Sequence, residues 1–184
     1  MAGRLVHGSS NIMNHDSYSD DYIREILHTS RSIAIVGASA NTVRPSYFVL
    51  KYLIEKAFEV IPVNPGMAGK DLLGAKVYGA LKDIPSPVDI VDIFRNSQAA
   101  LEITKEAIEI GAKVVWMQLG VRNDEAADLA EAAGLKVVMN RCPKIEYARL
   151  SGEIGWAGIN SRTISSARPK LGPSGFQHRV LRDK

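Results

Sequence analysis

Apolar residues recur along this chain in two rhythms. Five short runs are apolar on consecutive positions: Ser32 to Val36, Glu59 to Pro62, Ile90 to Phe94, Val114 to Leu119 and Lys136 to Met139. Runs of this length, β-branched or apolar on both faces, predict strands buried on both sides of a parallel sheet. Elsewhere the apolar positions return every three or four residues, which predicts helices with one buried stripe. The first begins near Ser19, with Ile23, Ile26 and Leu27 on its stripe and Asp20 and Asp21 at the positive end of its dipole. The next runs from Ser46 to Ala57 and carries Val49, Leu50, Leu53 and Ile54. A third spans Ser97 to Ile110, with Asn96 or Ser97 as its cap and Ala100, Ile103, Ala107 and Ile110 inward. The last runs from Asp124 to Ala133 behind an Asn123 cap, with Ala126, Leu129, Ala130 and Ala133 inward. Gly111 and Gly134 stand where left-handed residues end helices.

Strands alternating with helices predict an α/β fold, a doubly wound and mainly five-stranded parallel sheet with helices on both faces. The natural strand order is 3-2-1-4-5. The connection from Pro65 to Pro87 holds Gly66, Gly69, Gly74 and Gly79 with Pro85, and reads as mostly loop with at best one helical turn. The organisation is a short, polar and loose segment over 1–18, one domain over 19–167 and a basic tail over 168–184.

Composition supports an ordinary globular domain: of 184 residues, 46% are hydrophobic and 23% charged. The net charge of +3 invites a nucleic-acid reading until its location is considered. Between Arg168 and Lys184, five basic side chains and one acid give +4, which leaves the rest of the chain at −1. A nucleic-acid binder carries its basic cluster on the folded domain, so none is expected here. Cys142 is the single cysteine, which excludes an intrachain disulfide and a cysteine-rich metal site. The N-terminal residues lack a signal-like apolar core, and no run approaches the ~20 apolar residues of a membrane span. These features predict a cytoplasmic protein with no membrane partner.

In an open parallel sheet, ligands sit beyond the carboxyl ends of the strands, where strand order reverses. After the first strand, Gly37, Ala38 and Ser39 permit a sharp turn and close backbone approach, and Pro45 suits the start of a helix whose N-terminus attracts an anion. Arg44 adds a bidentate phosphate contact. The bland alternative is that Gly37 serves only as the turn glycine of a βα unit. The loop is neither Gly-x-Gly-x-x-Gly nor a Walker loop. The second strand ends Ile61-Pro62-Val63-Asn64-Pro65 without the acid that holds a NAD ribose, which disfavours NAD. Phe94 and Arg95 offer an aromatic face beside a guanidinium, suited to adenine and phosphate, or else a core phenylalanine beside a surface arginine. Gln118 and Gly120 end the fourth strand, with Trp116 and Met117 read as core.

Catalytic groups are scarce. His7, His15, His28 and His178 all lie outside the span of the five strands. Asp89 and Asp92 read as capping or buried hydrogen-bonded residues rather than an acid–base pair. Arg141 beside Cys142 is placed to lower the thiol pKa, against the plainer reading of inert packing.

Six ordered motifs carry a resemblance: Ile35-Val36-Gly37-Ala38-Ser39, Arg44-Pro45-Ser46-Tyr47, Ile61-Pro62-Val63-Asn64-Pro65, Asp92-Ile93-Phe94-Arg95, Trp116-Met117-Gln118-Leu119-Gly120 and Asn140-Arg141-Cys142-Pro143. Over roughly 19–167 the chain resembles the small CoA-binding-domain proteins, relatives of the N-terminal domain of the succinyl-CoA synthetase alpha subunit. The resemblance implies a Rossmann-like domain that holds coenzyme A by its nucleotide end. Gly37, Ala38, Ser39 and Arg44 would meet the phosphates. Val63, Asn64, Phe94 and Arg95 would surround the adenosine, and Gln118 and Gly120 would line the pantetheine path. The chain has no room for the synthetase's second domain and no histidine to replace that domain's phosphorylated one. The expectation is therefore a binder of CoA or acyl-CoA without autonomous catalysis: a carrier, a sensor or an accessory protein, either a homo-oligomer or partnered with an acyl-CoA enzyme. The alternative is an NAD(P)-dependent or CoA-thioester enzyme.

Overall fold

Side chains leave each strand on alternate faces, and both faces are buried, which divides the interior into two layers. The computed structural model describes residues 13–152. Helix α1 (Asp20–Thr29) leads to β1 (Ser32–Val36), α2 (Pro45–Glu55) and β2 (Glu59–Val63). A short hairpin of β3 (Asp71–Leu72) and β4 (Ala75–Lys76) follows. Then come β5 (Ile90–Ile93), α3 (Ser97–Glu109), β6 (Val114–Met117), α4 (Asp124–Ala132), β7 (Lys136–Val138) and α5 (Pro143–Leu150). Five strands form one parallel sheet. Ile33, Ile35, Ile90 and Trp116 pack under α1, α2 and α5, while Ala34, Val91, Ile93 and Met117 pack under α3 and α4.

The caps follow the sequence closely. Oxygens of the Ser19, Asn96 and Asn123 side chains accept the N–H of Tyr22, Ala99 and Ala126. Gly111 and Gly134 take positive φ at helix ends. On α4, however, Leu129 is exposed and Ala127 is buried in its place, because the alanine face lets this helix lie close to α3. Helix α5 is an element the periodicity misses. Its eight residues include Lys144, Glu146 and Arg149, so no clean apolar stripe marks it, and Pro143 at its first position is its local signal.

The strand order is β2-β1-β5-β6-β7. In terms of the five predicted strands this is 2-1-3-4-5, which replaces the expected 3-2-1-4-5. The reason lies at Pro62. Glu59 N–H and Val63 C=O bond toward β1, so Pro62 faces the outer edge, where it has no N–H to give. A strand with proline in its ladder belongs at a sheet edge, so β2 cannot be the internal strand of a 3-2-1 arrangement. Tyr78 closes part of that edge by donating its N–H to Pro62 O and accepting the Asn64 N–H. The segment between β2 and β5 is mostly loop, as expected, but holds the hairpin and two 3-10 turns, at Pro65–Met67 and Leu81–Asp83, rather than at most one turn. Leu81 and Val88 anchor it to the layer beneath α3 and α4.

At the opposite edge, tyrosine hydroxyls stand in for a missing strand. Tyr22 Oη donates to Val137 O at 3.1 Å and accepts the Val137 N–H, and Tyr18 Oη accepts the Met139 N–H at 2.7 Å. Burial pushes the Tyr22 phenol up to about 12. Residues 13–18, within the segment read as loose, thus pack on the domain. His15 is buried and bonds Tyr18 through Nδ1. The remainder of that segment and the basic tail lie outside the described residues.

At the amino ends of the strands, Asp89 accepts the N–H of Arg31 and Ser32 and pairs with Lys113 at 2.7 Å. Burial pushes its carboxyl up, but Lys113 and the two N–H groups outweigh burial and hold it below the ordinary carboxylate value. A depressed folded pKa stabilises the fold fully above the unfolded value of about 4, and that contribution fades as the pH falls through the folded value. Asp89→Asn is accordingly expected to be less stable than the parent at neutral pH, with the difference narrowing in acid. Urea unfolding at a series of pH values checks this, and a difference that widened in acid would refute it.

Candidate functional site

Strand order sets which loops meet. The chain steps from β1 to β2 in one direction and then to β5, β6 and β7 in the other, so right-handed crossovers place α2 on one face and α3 and α4 on the other. The reversal falls between β1 and β5, and the loops after those strands part into a cleft. The cleft encloses about 620 Å³ and is lined by Gly37, Ala38, Ser39, Arg44, Asn64, Phe94, Arg95 and Gln118. Eight of the ten residues singled out in the sequence therefore share one cavity. In the order 3-2-1-4-5, Phe94 would lie two strands, or roughly 10 Å, from Gly37. Here the Phe94 N–H bonds Val36 O at 2.8 Å and the two loops touch.

The other two residues stand elsewhere. Val63 is 3% exposed and sits in the core, where its carbonyl accepts the N–H of both Gly37 and Ala38. It fixes the first loop rather than facing the cavity. Gly120 adopts φ +78 in the exposed turn after β6 and donates its N–H to Asn140 Oδ1. Pro45, Ser46 and Val49 of α2, with Leu119, Val121 and Cys142, complete the wall. Periodicity assigned Val49 to the core, and an inward helix residue near a sheet's carboxyl edge can serve both places.

Gly37 has φ +95, and a Cβ there would lie 2.6 Å from Phe94 O. Glycine is thus required both by the backbone and by the neighbouring loop. Asn64 is a brace: its Nδ2 donates to Ala38 O at 2.7 Å and its Oδ1 accepts the Gly66 N–H at 2.8 Å. Ser39 Oγ accepts the Asn41 N–H, and Asn41 Oδ1 accepts that of Val43, so the first loop is tied within itself. Helix α2 then starts at Arg44 and Pro45 with no side chain capping it. The first N–H groups of such a helix carry partial positive charge, and Arg44 stands beside them.

Beneath the cleft floor, Asp92 is wholly buried and both of its oxygens accept from Gln118 Nε2, at 3.0 and 2.9 Å. Burial pushes this carboxyl well above the ordinary range, and the Gln118 donation only partly offsets that. Asp89 and Asp92 have separate partners and form no pair. Burial also pushes the Cys142 thiol up, although the backbone N–H groups of Ile145 and Lys144 draw it down, and the Asp92 charge adds to the rise. The expected lowering by Arg141 does not occur. That guanidinium bonds Asn140 O and Asp16 O and lies over the Tyr18 ring, engaged with the N-terminal segment. Trp116 and Met117 are core, as read. Among the described residues, no helix is long and apolar enough to cross a membrane.

A family model described as a CoA binding domain matches residues 31–148. An uncharacterized protein of Bacillus subtilis (strain 168), YneT, is 39% identical over 126 residues, which are 68% of this chain and 92% of that one. The alpha subunit of an ADP-forming acetate–CoA ligase I of Pyrococcus furiosus is 33% identical over 95 residues, covering 50% of this chain but 21% of the subunit. Among solved structures, a hypothetical protein from Pyrococcus horikoshii OT3 superposes with a TM-score of 0.70 at 43% identity, covering 73% of this chain and 94% of that one.

Proposed function

Because this chain belongs to the CoA-binding domain family, we propose that it holds coenzyme A or an acyl-CoA in the cleft between the β1 and β5 loops. The ligand enters by its ADP and phosphate end. The observation that carries this reading is the convergence of the Gly37 turn, the uncapped start of α2 and the side chains of Arg44 and Arg95 on one cavity. The phosphates lie at the α2 N-terminus with Arg44, and Phe94 and Arg95 stand beside the adenosine. Gln118, Leu119, Val121 and Cys142 supply a less charged wall for the pantetheine arm.

The role that follows is that of a carrier, a sensor or an accessory subunit. The raised thiol of Cys142 argues against a thiolate nucleophile at this wall of the cleft. Likeness to part of a ligase alpha subunit supports a partnership with an acyl-CoA enzyme.

Calorimetric titration with CoA, with NADH and ATP as controls, tests the reading. Binding of CoA in preference to both is the expected result, and heat from NADH with none from millimolar CoA would overturn it. Arg44→Ala is expected to weaken CoA binding by about 1.5–3 kcal/mol, the worth of a hydrogen bond to a charged group. An unchanged affinity would remove Arg44 from the phosphate site.

A further inference from the structure

The buried Asp92–Gln118 contact has a chemical consequence for whatever lies in the cleft. A glutamine amide has one donating and one accepting end, and either oxygen of a carboxyl group can accept. With Nε2 within 3.0 Å of both Asp92 oxygens, the donating end is committed to that carboxyl group. The accepting end, Oε1, therefore points the other way. Gln118 lines the cavity, and its Oε1 is not among the sealed-off side-chain atoms of the described residues that lack a partner. Asp92 itself is 0% exposed and cannot reach a ligand.

We propose that Asp92 is a positioning residue that sets the polarity of the Gln118 amide, so that the cleft offers a carbonyl acceptor and selects a ligand carrying an N–H or O–H donor at that point. The neighbouring wall of Leu119, Val121 and Cys142 is uncharged, which identifies the donor as belonging to a neutral part of the ligand and not to its phosphates. An amide-bearing arm has this chemistry. The inference rests on the CoA reading above and adds the recognition element for the arm.

Replacing Asp92 by asparagine keeps the shape but turns one of the two accepting oxygens into an NH2 that only donates, so the amide orientation is no longer enforced. Affinity is measured for two probes: CoA, and the 3′-phosphorylated ADP that remains when the pantetheine arm is removed. For Asp92→Asn, CoA should bind roughly tenfold more weakly, about the worth of one neutral hydrogen bond, while the arm-less nucleotide binds as before. The side-chain amide resonances of 15N-labelled Gln118 should also move out of their carboxylate-bonded position. Gln118→Met, similar in length but without donor or acceptor, is the second variant and should lose the same arm-dependent increment.

If either variant, folded by its melting curve, kept the full preference for CoA over the arm-less nucleotide, the inference would be overturned. Equal weakening of both probes would overturn it too, since it would place the effect in the scaffold. Failure of the parent protein to bind CoA at all is a distinct result that rejects the underlying CoA reading.

Discussion

Gly37→Ala is expected to destabilise the protein by about 3 kcal/mol or more and to abolish ligand binding in the cleft. Two independent effects act at this position. Its φ of +95 lies where side chains are strained, at roughly 1–3 kcal/mol. The new methyl would also stand 2.6 Å from Phe94 O, a backbone atom that cannot rotate away. Relief requires the β1 and β5 loops to separate, which breaks the Phe94 N–H bond to Val36 O and opens the cleft. Crowding of this kind typically costs a further 1–3 kcal/mol. Urea unfolding reads the stability, with an unchanged m-value showing that the same fold is being measured. A loss below about 1 kcal/mol with CoA affinity intact would show that the loop geometry is more pliant than its contacts imply.

The other large effect is expected at Trp116. Its ring is fully buried under the α1, α2 and α5 layer, and its Nε1–H donates to Arg141 O at 2.9 Å. That bond ties β6 to the loop that carries Cys142 into the cleft wall. Trp116→Ala removes the largest fully buried side chain among the described residues and should cost about 3–5 kcal/mol. Trp116→Phe keeps part of the packing but strands the Arg141 carbonyl, and the lost bond alone should cost about 1–3 kcal/mol. Thermal and denaturant unfolding of both variants separates packing from hydrogen bonding. If alanine and phenylalanine cost the same, packing of the indole would not be the source of its effect.

Much of this architecture is written locally. The positions of the sheet's five strands, four helices and three caps follow from periodicity and from Ser19, Asn96 and Asn123, because helix and strand rhythms report burial over only a few neighbouring residues. The carboxyl-edge loops were legible for the same reason: once strands and helices alternate, the binding edge follows. Helix α5 escaped because its charged residues blur its stripe. Asn64 lines the cavity, but its Nδ2 also braces Ala38 across a 26-residue separation while its Oδ1 closes the turn at Gly66, a role that shows only once the chain is folded. The Asp92–Gln118 contact spans the same separation in sequence, and nothing local announces it.

By itself the sequence determined a parallel α/β domain, the sheet edge that carries the cleft and the residue types there, since each depends on short-range patterning and turn chemistry. It also placed the excess of basic residues within 168–184. Only the tertiary structure decided that the third strand crosses to the far side of the first, which puts Phe94 against Gly37 and turns two separate loops into one cleft. That choice depends on where a long, mostly helix-free crossover lands, and a landing point is set by edges and packing partners distant in the chain. Pro62 is the one local trace of it. A proline can sit in a ladder only where no neighbour needs its missing N–H, and that condition becomes a statement about strand order only once the sheet is assembled.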